Sequence, residues 1–151
     1  MTILSFDLGT KCGWAFKEES KRAKFGTEDL ACKKWDGAGM RFVKFTKLLH
    51  DLLAKHKPDV VVFEGVRRHR GTDAAHIYGG LMATLQSVCE SNNIPYTAYG
   101  VTEIKKFWTG KGSADKDAMI AKANDLGYDP KDDNSADALA ILFYGLDQLS
   151  V

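Results

Sequence analysis

Two stretches of this chain run as apolar strands and stop on a carboxylate: Ile3-Leu4-Ser5-Phe6-Asp7 and Asp59-Val60-Val61-Val62-Phe63-Glu64. Runs with apolar residues on both faces suit central strands covered by helices on each side. Such strands prefer to lie beside one another and to end at the same edge of a sheet. Burying an unpaired carboxylate is costly. Two at one sheet edge therefore need a shared compensation, and this requirement constrains both the fold and the chemistry.

The remaining elements follow from periodicity and turn chemistry. Residues 2–8, 12–16 and 23–27 read as an antiparallel meander. Residues 36–57 have helical spacing through Met40, Phe42, Phe45, Leu49 and Leu52, and Pro58 closes that helix. After the strand 59–64 comes a basic loop, Gly65 to Gly71, then a long helix to about Ser91 that Thr72 or Asp73 can cap. A strand over 94–99 and a short helix over 101–108 follow. Ser113 can cap a helix to about Leu126, and a last helix runs from Asn134 to about Leu149. This order predicts an α/β fold, a mixed sheet flanked by helices, with a right-handed crossover over 28–64. With 151 residues, the expectation is one domain over 1–151.

Composition excludes more than it selects. Formal net charge is +1, so bulk charge says nothing for nucleic acid; only the placement of charge can. The three cysteines, Cys12, Cys32 and Cys89, form no zinc spacing and no disulfide framework, which fits a reducing compartment. No leader pattern or membrane-length apolar run is visible, so a cytoplasmic protein is expected.

A third carboxylate, Asp137, lies within Asp132-Asp133-Asn134-Ser135-Ala136-Asp137 at the start of the last helix. Positions three and four apart share a helix face, so Asn134 and Asp133 can stand beside it. Carboxylates gathered together cannot all ionise without compensation. Hard divalent cations such as Mg²⁺ supply it through oxygen ligands. Two ions roughly 4 Å apart can activate a water and stabilise a leaving oxygen in phosphodiester cleavage. Asp7, Glu64 and Asp137 are the expected ligands, with Asp133 or Asn134 completing the set. Arg67, Arg68 and Arg70 follow Glu64, and Lys105, Lys106, Lys111 and Lys116 cluster before and at the next helix. Each group can be ordinary solvated surface; beside a carboxylate site, both read as contacts to DNA phosphates. Lys116 can also stabilise charge on the scissile phosphate. Phe107 and Trp108 admit two readings, core packing and base stacking.

The motifs Ser5-Phe6-Asp7-Leu8-Gly9-Thr10 with Gly13-Trp14-Ala15, Val60 to Glu64, Val101 to Lys106, Gly112 to Lys116, and Ala136-Asp137-Ala138-Leu139-Ala140 resemble the RuvC-type Holliday junction resolvases. A bacteriophage-encoded member is the expectation. The resemblance spans nearly the whole chain. It implies a ribonuclease-H-like fold with a five-stranded sheet, and a homodimer packed through the helix 72–91. Each subunit would nick one of two opposing strands of branched DNA, with Mg²⁺ or Mn²⁺. By matched position, Asp7, Glu64 and Asp137 would bind metal, and Lys105 and Lys116 would contact DNA or act in catalysis. The cytoplasm is then that of a host cell. Two positions depart from the family. Asn134 stands where an Asp or His is usual, and Arg67 where cellular members place an aromatic wedge. Asn134 is the support for an alternative, a catalytically disabled binder of branched DNA. A further alternative is an actin-like or sugar-kinase-type ATP-binding fragment, because Asp7-Leu8-Gly9-Thr10 resembles their phosphate-binding turn. Such proteins need a second turn of this kind in a second domain, for which the chain has no room.

Overall fold

The computed structural model describes residues 1–150. Its elements in chain order are β1 (Ile3–Asp7), β2 (Lys11–Lys17), β3 (Lys24–Asp29), α1 (Met40–His56), β4 (Val60–Gly65), α2 (Thr72–Ser91), β5 (Tyr96–Gly100), α3 (Val101–Thr109), α4 (Lys116–Asp125) and α5 (Asp133–Leu149). One five-stranded sheet has the order β3-β2-β1-β4-β5. β1 pairs antiparallel with β2, and β2 with β3; β1 pairs parallel with β4, and β4 with β5. The expected mixed sheet flanked by helices, with the two carboxylate-ended strands adjacent and parallel, is the observed one.

Side chains on a strand alternate between faces. Ile3 of β1 and Val60 and Val62 of β4 join a core with α3, α4 and α5. Leu4 and Phe6, with Val61 and Phe63, join a second core under α1 and α2. The polar exception inside β1 is Ser5, fully buried. Its hydroxyl lies 2.7 Å from the Ala138 carbonyl and 3.3 Å from that of Ala15, which stitches α5 onto β1 and β2. The buried small residues Ala136, Ala138 and Ala140 let the helix lie close to the sheet.

Several boundaries differ from those the sequence suggests, each for a local reason. α1 starts at Met40 rather than Asp36, because the Asp36 carboxylate instead accepts the Lys33 N–H at 2.8 Å in a turn. Neither Thr72 nor Asp73 caps α2; its N-cap is Gly71, with no side-chain bond. Ser113 does not cap α4. Asp115 does, accepting the Ala118 N–H at 2.9 Å. α5 begins one residue early, at Asp133, because Asp132 is its cap. The Asp132 carboxylate takes the Ser135 N–H, the Ser135 hydroxyl and the Thr27 hydroxyl, each at 2.9 Å, and so ties β3 to the start of α5. Burial opposes ionisation of Asp132, but these hydrogen bonds outweigh it and hold the carboxyl below its ordinary range. Among the described residues, no helix is long and apolar enough to cross a membrane.

Candidate active site

Asp7 closes β1 and Glu64 stands near the end of β4. The register pairs Ser5 with Val62 and Phe6 with Phe63, so the next step along both strands brings Asp7 level with Glu64. By alternation Asp7 shares the face of Ile3 and Ser5, and Glu64 that of Val60 and Val62. This is the face that α5 covers. Asp137 lies one residue before Ala138, whose carbonyl is held by Ser5. Three carboxylates therefore meet at one end and on one face of the sheet.

Their electrostatics report the meeting. Burial pushes Asp7 well above the usual carboxylate range, and Asp137, Glu64, Asp133 and Asp132 add to the rise. Asp137 is raised to about 7, by burial first and then by Glu64 and Asp133, against the opposing pull of Lys105 and Lys116. Glu64 is raised by burial, with Lys105 opposing. Asp133 thus belongs to the cluster, and its Oδ2 lies 3.7 Å from Lys116 Nζ. An exposed pair at this distance contributes at most about 1 kcal/mol; it matters because it brings Lys116 to the carboxylates. Asn134 occupies the same first turn of α5 and packs its backbone carbonyl toward Gly13.

Among the described residues, no three His, Cys, Asp or Glu side chains stand close enough to hold one ion. The donor set nonetheless suits a hard divalent cation. It consists of carboxylates, half-buried and mutually repelling, and only added positive charge lets all of them ionise together.

The basic residues divide. Lys105 and Lys116 act on the cluster: both oppose the rise of Asp137, and Lys105 also opposes that of Glu64. Arg67, Arg68 and Arg70 are exposed on the loop that leaves β4 at the same sheet end. Lys106 and Lys111 are exposed beyond them, on α3 and the turn after it. Trp108 belongs to the core: it is 3% exposed, and its indole N–H donates to the Met119 carbonyl at 3.0 Å. Phe107 is partly exposed, edge-on to Tyr144.

Two further residues support the site through packing that local spacing does not show. Gly13, opposite Asp7 in the β1–β2 register, lies directly beneath the backbone of Asn134. Tyr78 of α2 donates its hydroxyl to the Glu64 carbonyl at 2.7 Å and accepts the Val66 N–H at 3.1 Å, so it pins the chain on both sides of Gly65. Only the Asp132-x-x-Ser135 spacing, a helix-cap pattern, could have announced the anchor of α5.

Residues 3–144 match the family described as Crossover junction endodeoxyribonuclease RuvC. The chain belongs to the RuvC family. The RuvC of Synechococcus sp. (strain RCC307) is 30% identical over 154 residues, covering 93% of this chain and 95% of that protein. The RuvC of Halorhodospira halophila is 29% identical over 143 residues, covering 91% and 85%. Among solved structures, Thermus thermophilus RuvC in complex with Holliday junction substrate matches with a TM-score of 0.81 at 22% identity, covering 98% of this chain and 96% of that one. The yeast mitochondrial Holliday junction resolvase Ydc2 matches with a TM-score of 0.65, covering 92% and 75%. At these identities the solved structures speak for the RuvC fold, and the family match carries the enzyme class.

Proposed function

We propose that this chain is a divalent-metal-dependent endonuclease that resolves four-way DNA junctions by nicking opposing strands, and that it extends this to other branched DNA. The observation that carries the reading is the convergence of Asp7, Glu64 and Asp137 on one face at one sheet end. Family membership and the Holliday junction bound by the Thermus relative support the substrate class. Asp7, Glu64 and Asp137 would hold Mg²⁺ or Mn²⁺, two ions per site, with Asp133 or Asn134 completing the set from the first turn of α5; of these, Asp133 acts electrostatically on both Asp7 and Asp137. Bound there, such ions supply an activated water and charge stabilisation for the leaving oxygen. Lys105 and Lys116 stabilise negative charge on the phosphate under attack. Arg67, Arg68, Arg70, Lys106 and Lys111 position the backbone of the DNA arms.

A homodimer presents two such sites to one junction. Within α2, Gly80 is spent inside the subunit, because a Cβ there would lie 2.4 Å from the Phe42 ring. Gly79 faces open space and leaves a close approach free for the second subunit.

The deciding experiment is cleavage of a labelled four-way junction, with linear duplex as control, in Mg²⁺ and in EDTA. Paired symmetric nicks in the junction alone, lost in EDTA, are expected. Tight binding with no nicks in Mg²⁺ or Mn²⁺ would reduce the protein to a branched-DNA binder. Junction affinity is also expected to fall with salt, with a log–log slope of about −0.9 for each phosphate contact. Titration across salt concentrations checks this, and a flat response would take the arginine and lysine groups out of the interface.

A further inference from the structure

Trp35 is the most solvent-open large apolar side chain described, at 82% exposure. An aromatic side chain of this size normally stabilises a fold by burying 150–250 Å². Here that burial is forgone, and yet the loop that carries the ring is braced along its length. Leu30 N–H donates to the Thr10 carbonyl at 2.7 Å, and Ala31 N–H to Asp29 at 2.9 Å. Lys33 N–H donates to Asp36 at 2.8 Å, Asp36 N–H returns to the Lys33 carbonyl at 3.0 Å, and Lys44 Nζ reaches the Ala31 carbonyl at 2.9 Å. The ring is displayed on a built turn.

The topology fixes where it is displayed. Asp29 pairs with Lys11 across β2–β3, and Thr10 follows Asp7 by three residues, so the loop springs from the sheet end that carries the carboxylates. Five residues at full extension keep Trp35 within about 18 Å of Leu30, and the Lys33–Asp36 turn shortens this. Two unpaired cations stand beside it. Lys33 and Lys34 are exposed beside the ring, and neither forms an ion pair among the described residues; of the nearby carboxylates, Asp29 and Asp36 each accept a backbone N–H, and Asp36 also lies 3.9 Å from Lys44 Nζ. Of the other candidate stacking rings, Trp108 is part of the core, and Phe107 stands edge-on to Tyr144 with about half the exposure of Trp35. An open aromatic face beside unpaired cations is a surface that takes up an unstacked nucleobase with its flanking phosphates. Intact duplex offers no free base face; a branch point does.

We propose that Trp35 stacks on an unpaired nucleobase at the branch point of the DNA, with Lys33 and Lys34 on the adjoining phosphates. The proposal rests on the junction-cleaving reading above. It is tested by binding, in EDTA so that no strand is cut, of a four-way junction and a linear duplex to the wild-type protein, Trp35→Ala and Trp35→Phe. Loss of one stacked base weakens binding by about 5- to 150-fold. Trp35→Ala is expected to lose that much affinity for the junction and almost none for the duplex, and Trp35→Phe to keep most of it. With 2-aminopurine at the branch, the emission quenched by stacking on the wild-type protein returns in Trp35→Ala. Thermal unfolding of Trp35→Ala should match wild type, since the ring buries little. Unchanged junction affinity, or equal losses on junction and duplex, overturns the proposal. So does sedimentation showing that Trp35→Ala splits a dimer, which would make the ring a contact between copies. A wild-type protein with no preference for the junction would instead overturn the underlying reading.

Discussion

Asp7→Asn is expected to abolish junction cleavage, by at least about 10³-fold, and at the same time to stabilise the metal-free protein at pH 7. A thousandfold loss is about 4 kcal/mol of barrier, within what a lost metal ligand removes. The gain in stability follows from the direction of the shifts. Asp7, Asp137 and Glu64 all titrate above their ordinary values in the fold, with burial as the largest cause and mutual repulsion adding to it for Asp7 and Asp137. A carboxyl raised in this way favours the folded state fully below its unfolded value, about 4. That contribution is lost as pH rises through the folded value. The metal-free wild type should therefore weaken from about pH 4 upward, through the region near 7 where Asp137 titrates. Asn at position 7 removes one charge from the centre of the cluster. Each 1 kcal/mol gained raises Tm by about 2–4 °C in a domain of this size. Thermal unfolding in EDTA at pH 5 and pH 7.5 checks this: the variant should show the smaller drop, and Mg²⁺ should stabilise wild type more than the variant. Wild-type cleavage by Asp7→Asn, or the same pH response in both proteins, would remove Asp7 from the site.

Gly13→Ala is expected to damage both stability and cleavage. A Cβ at this position would lie 2.0 Å from the Asn134 carbonyl oxygen and 2.5 Å from its carbon. Both atoms belong to the backbone at the start of α5, which Asp132 and Ser135 hold in place, so no side chain can swing aside. Overpacking usually costs 1–3 kcal/mol, and an overlap with anchored backbone belongs at the upper end, about 3 kcal/mol. Tm should fall by roughly 6–12 °C. Because Gly13 lies opposite Asp7, whichever backbone yields carries Asp137 away from Asp7. Misplacement of about 1 Å is enough for a hundredfold loss of rate. Gly39→Ala is the control. Its Cβ would meet nothing within 4 Å, its φ is −70°, and its effect should stay within about 0.5 kcal/mol. A Gly13→Ala protein as stable and active as this control would contradict the geometry.

The sequence made the strands legible because their pattern is local. Apolar runs that end at Asp7 and Glu64 announce buried central strands, and strand alternation then sends both carboxylates to one face. Asp137 was legible as a candidate because three and four residues before it stand other polar ligands on one helix face. The anchors were not legible. Gly13 matters only because α5, more than a hundred residues later, lies on it, and nothing near Gly13 says so. Tyr78 looks like one more apolar position on α2 until its hydroxyl is seen to bridge Glu64 and Val66. Helix caps are ambiguous in sequence where several polar residues compete: Ser113 and Asp115 both have capping side chains, and the chain uses the one whose carboxylate reaches the Ala118 N–H. Trp35 carried no periodic signal, and only its exposure singles it out.

Because β1 sends Ile3, Ser5 and Asp7 to one side and Leu4 and Phe6 to the other, the sheet divides the molecule like a party wall. Every carboxylate of the candidate site lives on the α5 side. A substitution there answers to folding and to chemistry at once. On the α1–α2 side, the outward positions answer only to what the protein touches. A lineage can therefore redecorate that side to suit a new neighbour, while the room where strands are cut keeps its furniture.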